Sequence, residues 1–155
     1  MSDPLHPKPL FARRLLGHAL AAAALAVSAP AQACSVATTT LAFGAIDPLQ
    51  GVPTDSTTTI SVECPALTSY AIAISPGSGT YSGRKMSSSD AQLAYQLYVD
   101  ASRLTVWGDG SAGTAVVNGS ADDLGSNHTV YGRVPHQPLA RPGVYTDVLL
   151  VTVTF

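Results

Sequence analysis

Charge is scarce in this sequence: Asp, Glu, Lys and Arg make up 12% of it. Beyond position 33 only Arg84, Lys85, Arg103, Arg133 and Arg141 are basic, against nine acidic residues, a formal charge of −4. No basic patch exists for a nucleic-acid backbone, so nucleic acid is excluded as a partner. Cysteine is limited to Cys34 and Cys64, with no Cys-x-x-Cys pair and no H-E-x-x-H, so no metal is expected. Past position 33 the histidines are His128 and His136, both read as solvated surface groups. No G-x-S-x-G elbow occurs, and the Gly-rich stretches 77–83 and 108–113 miss that spacing. Asp109 stands in a tight turn without the further carboxylates of a calcium loop, and Asp122-Asp123 reads as a solvated pair. These absences disfavour an enzyme, a cofactor and a small-molecule substrate. No apolar run is long enough to span a bilayer.

What is present begins with an address. Lys8, Arg13 and Arg14 precede a short apolar run at 15–27, and Ala31-Gln32-Ala33 supplies a cleavage site after Ala33. Residues 1–33 are therefore expected to be a secretory signal peptide, using the general secretory route. Cleavage would leave Cys34 first, but Ala31 stands where a lipoprotein signal has Leu, which disfavours lipidation. In an exported chain two cysteines predict a Cys34–Cys64 disulfide. Closing that loop would stabilise the fold by roughly 3–4 kcal/mol on the chain-entropy model.

Residues 34–155 show no helical period. Short alternating segments recur instead at 36–43, 57–64, 70–75, 93–100, 104–107, 114–117, 129–134 and 144–155, split by turn residues. In the second, Thr58, Ile60, Val62 and Cys64 share a face, which aims Cys64 inward. In the first, the inward parity switches near Thr38–Thr40, as a bulge or bend would make it do. Strands at this spacing predict one all-β domain, a sandwich or barrel. The last segment puts Leu149, Val151, Val153 and Phe155 on one face and Val148, Leu150, Thr152 and Thr154 on the other. A strand this apolar needs a neighbour on each side. Nothing later in the sequence supplies one, so a strand from another chain is expected.

The order of several short pieces carries a resemblance across residues 34–155. Cys34-Ser35-Val36 and Phe43-Gly44 open it, and Ile60-Ser61-Val62-Glu63-Cys64 follows. Tyr70-Ala71-Ile72-Ala73-Ile74-Ser75, Arg84-Lys85-Met86 and Leu93-Ala94-Tyr95-Gln96-Leu97-Tyr98-Val99-Asp100 come next. Trp107-Gly108-Asp109-Gly110, Val130-Tyr131-Gly132-Arg133-Val134-Pro135 and Gly143-Val144-Tyr145-Thr146-Asp147 complete the set. This order resembles the spore coat protein U domain, the pilin-type domain of archaic chaperone–usher systems. The resemblance implies an immunoglobulin-like β-sandwich of the incomplete pilin type, lacking its final strand. It implies a structural subunit of a surface fibre or coat whose edge at Leu149, Val151, Val153 and Phe155 receives a lent strand. The implied partners are a periplasmic chaperone, an outer-membrane usher and other pilin subunits; the implied location is the periplasm in transit, then the cell surface.

One departure bears on position in such a fibre. A polymerising pilin has an extended donor segment before its first cysteine, whereas residues 28–33 contain Pro30 and no alternating apolar face. The expectation is a subunit that accepts a strand but lends none, as at a fibre tip. The competing reading is a secreted β-sandwich that binds or adheres to a surface or glycan through loop tips such as 106–113.

Overall fold

The computed structural model describes residues 33–155. The expected signal peptide lies outside the described residues except for Ala33, which is exposed beside Cys34. Eight strands follow: β1 Ser35–Thr38, β2 Thr54–Glu63, β3 Thr68–Ile74, β4 Arg84–Ser87, β5 Gln92–Tyr98, β6 Val117–Ala121, β7 Ser126–Val134 and β8 Val151–Thr154. They form a five-stranded sheet ordered β1-β2-β7-β5-β4 and a three-stranded sheet ordered β6-β3-β8. Every ladder is antiparallel.

Alternation explains both layers. Ile60 and Val62 of β2, Leu97 of β5 and Val130 and Val134 of β7 point from the larger sheet into a shared core. Ile72 and Ile74 of β3 meet them from the smaller sheet. Residues between them along each strand stay at least partly exposed, the half-buried pattern of a sandwich. Trp107 is fully buried on the connection between β5 and β6, and its indole N–H donates to the Ile72 carbonyl at 3.0 Å. Cys34 and Cys64 are joined, which fastens the start of β1 to the end of β2.

Several expectations need correction. The segment 144–155 is not one strand in one sheet. Thr146 exchanges two hydrogen bonds with Ser87 of β4, whereas β8 pairs with β3, so the chain crosses between the sheets near Asp147–Leu149. Residues 36–43 do not form one strand either. After the Thr39 N–H reaches the Thr59 carbonyl, the chain leaves the ladder and turns Leu41 and Phe43 inward over Gly132. A Cβ on Gly132 would stand 2.7 Å from Leu41 Cδ2, so the absent side chain makes room for that turn. The segment 104–107 forms isolated bridges at Val106 and Trp107 in place of a ladder, and the strand expected at 114–117 is displaced to β6.

Candidate functional site

A groove of about 960 Å³ lies along the side of the sandwich. It runs between residues 38–46, which continue from β1, and residues 144–151, which lead into β8. Its floor is apolar, built from Ile60, Ile74, Met86, Leu93, Leu97 and Val130. Strand parity puts these side chains there, because each is the inward residue of its strand. One wall is Leu41, Phe43 and Ile46, all half-buried, with the Phe43 ring edge-on to Tyr95 at 6.2 Å between centroids.

Among the described residues both walls carry main-chain groups without hydrogen-bond partners, although the Ala42 carbonyl accepts from Ser56 Oγ at 2.6 Å. None of the N–H groups from Thr40 to Ile46 donates a hydrogen bond among the described residues. On the opposite wall the even-numbered residues are occupied. Thr146 bonds Ser87, Val148 N–H bonds its neighbour Asp147's carboxylate, and the Leu150 carbonyl accepts from Ser75 N–H at 2.9 Å. In an antiparallel strand alternate residues bond to opposite sides, so Val151 and Val153 turn their N–H and C=O away from β3. Tyr145, Asp147 and Leu149 have the same parity, and their main chains make no hydrogen bond among the described residues. The result is one continuous free edge over 145–153, although its other side is fastened first to one sheet and then to the other. An unpaired edge beside an apolar trough is a template for an added strand.

Leu149 and Val151 line the groove, and Val153 packs partly buried against the core. Phe155 lies elsewhere: it is 56% exposed and its ring meets Tyr70 edge-on at 6.1 Å. The expected bend near Thr38–Thr40 is where the chain leaves the ladder, but the wall that follows at 41–46 was not among the expected site residues.

Two polar groups hold the place where the chain crosses between sheets. The Asp147 carboxylate accepts from Tyr95 Oη at 2.6 Å and from Ser78 N–H and Oγ–H at 3.1 and 2.7 Å. Burial disfavours its charged form, but the hydrogen bonds from Tyr95 and Ser78 outweigh this and hold its carboxyl below the ordinary value. Burial, followed by the Asp147 partner, pushes the Tyr95 hydroxyl far up. Arg84 is fully buried, and its guanidinium donates to the Ser75 and Trp107 carbonyls at 3.0 and 2.7 Å and to the Gln96 side chain. β4 is absent from the strands expected from the sequence, because four residues headed by two cations offer no apolar alternation.

His128 is also corrected. It shares the inward parity of Val130, is half-buried, and pairs through Nε2 with Tyr70 Oη at 2.8 Å across the two sheets. His136 is exposed, with Nε2 2.9 Å from the Pro48 carbonyl. Asp109 closes its turn by accepting from Ser111 N–H at 2.9 Å. Among the described residues no three His, Cys, Asp or Glu side chains gather in a metal-binding group.

Comparison with known proteins agrees with this architecture. Against the solved structures the chain is similar to one titled as the CsuC–CsuE chaperone–tip adhesion subunit pre-assembly complex of archaic chaperone–usher Csu pili from Acinetobacter baumannii, with a TM-score of 0.54 and 20% identity. The match covers 79% of this chain but only 39% of that one, and it establishes an immunoglobulin-like pilin fold. Among curated proteins the chain is similar to Protein U of Myxococcus xanthus, 33% identical over 130 residues, 75% of this chain and 72% of the relative. The sequence profile of the Spore Coat Protein U domain matches residues 20–152, and the chain belongs to that family.

Proposed function

We propose that this chain is a structural subunit of a chaperone–usher surface fibre or coat, and that its groove is filled first by a strand lent by a periplasmic chaperone and then by a strand of a neighbouring subunit. The carrying observation is the pair of walls, 40–46 with its undonated N–H groups and 145–153 with its free odd-numbered edge, on either side of an apolar floor. A strand laid between them bonds its backbone to both and buries alternate side chains against Leu149 and Val151. Family membership and the pilin fold support this reading. The same reading entails export, transit through the periplasm and an outer-membrane usher as the third partner.

The test is self-complementation. A strand of alternating apolar and polar residues, fused after Phe155 through a flexible linker, should fill the groove and raise the thermal midpoint clearly above that of the unfused chain. A fusion carrying the same residues in scrambled order serves as the control. Equal midpoints for the ordered and scrambled fusions would sink the proposal.

A further inference from the structure

Five inward side chains follow one another along the free edge: Tyr145, Asp147, Leu149, Val151 and Val153. Four are apolar or aromatic and packed against the core, while the fourth from the β8 end, Asp147, is a carboxylate that lines the groove. Taking the strand-accepting reading as its basis, we propose that Asp147 and Tyr95 form a polar subsite that selects strands carrying a hydrogen-bond donor side chain at the position facing Asp147, within an otherwise apolar row.

Geometry leads to this class of occupant. A strand added to the 145–153 edge places one residue directly opposite each odd-numbered residue and on the same face, so one of its side chains meets Asp147. Asp147 Oδ1 already accepts from Ser78 N–H, Ser78 Oγ–H and Val148 N–H. Among the described residues Oδ2 accepts only from Tyr95 Oη–H, which leaves Oδ2 and the Tyr95 oxygen as acceptors with capacity to spare. Among the described residues no further donor satisfies them: Arg84, the nearby cation, spends its guanidinium on carbonyls and Gln96. An apolar side chain laid over these acceptors would strip their water without replacing it, and an acidic one would add repulsion. A hydroxyl, amide or ammonium satisfies them.

Labelled peptides that match the row from Tyr145 to Val153 test this on the full exported chain. One peptide is apolar at every inward position; others carry Ser, Lys or Glu at the position facing Asp147, in both strand directions. Anisotropy titration should rank Ser and Lys tightest and Glu weakest, with about a tenfold spread in Kd between Lys and Glu. Moving the Lys by two positions along the row should remove its advantage. Asp147→Asn, checked for folding by circular dichroism, should flatten the ranking between Lys and Glu. If peptides bind but the apolar one is as tight as Ser or Lys, the subsite is refuted while the groove stands. If no peptide binds at all, the strand-accepting reading itself fails.

Discussion

Gly77 adopts φ of 67°, and a Cβ there would stand 2.1 Å from Asp147 Oδ2 and 2.8 Å from Leu149 Cδ2. Both constraints fall on the loop that keeps Asp147 in place, so a methyl group must push the crossing segment away from Ser78 and Tyr95. Gly77→Ala is expected to cost on the order of 2–4 kcal/mol in chemical denaturation and to weaken strand capture with it. His128 makes a different prediction. Burial lowers its pKa from 6.5, so the folded state resists a proton that the unfolded chain accepts. Stability is therefore complete above pH 6.5 and falls as pH drops from there through the folded-state value. Denaturation followed between pH 7 and pH 5 should show this loss, and His128→Gln should flatten the profile. A wild-type profile already flat over that range would count against this reading of the half-buried imidazole.

At the scale of single elements, Val151 and Thr152 are adjacent in β8 yet face opposite ways. Val151→Asp sets a carboxylate against the groove floor and should cost on the order of 2 kcal/mol or more, with loss of chaperone capture. Thr152→Asp faces outward and should change stability by less than about 0.5 kcal/mol. Equal tolerance at the two positions, measured as periplasmic yield and thermal midpoint, would show that the register is wrong. That register was legible in the sequence because period two with β-branched residues has one sensible reading. Alternation was also legible in parts of β2, β3, β5 and β7, where Ile60 and Val62, Ile72 and Ile74, Leu93 and Leu97, and Val130 and Val134 stand two or four residues apart among smaller or more polar neighbours. β4 and β6 were not legible in that way. Arg84 is a buried cation held by carbonyls, and β6 reads Val-Asn-Gly-Ser-Ala, so neither displays the contrast on which alternation depends. The groove was partly legible: Leu149 and Val151 of the last segment's apolar row line it, whereas Phe155 of the same row stays exposed away from it. The other wall, and the crossing between sheets, depend on tertiary contacts such as Ser87–Thr146 that no local period encodes.

For the molecule as a whole, the Cys34–Cys64 bond secures a strand that has little else to hold it. β1 is exposed at all four positions and, among the described residues, pairs only with β2. Closing a loop across a separation of 30 residues contributes roughly 3–4 kcal/mol on the chain-entropy model. Cys34→Ser with Cys64→Ser should lower the thermal midpoint and also weaken binding of a groove peptide, because the 40–46 wall continues from β1. A double variant that loses stability but binds peptide with unchanged affinity would show that the wall stands without its staple. The free edge over 145–153 has a mechanical consequence as well. A strand seated along it lies parallel to its partner for its whole length, so tension along that axis acts in shear. Shear loads every backbone hydrogen bond of the joint at once, whereas peeling would break them one after another. Because the even-numbered side of the same segment is fastened to β4 at Thr146 and to β3 from Leu150 onward, that tension passes into both sheets rather than one.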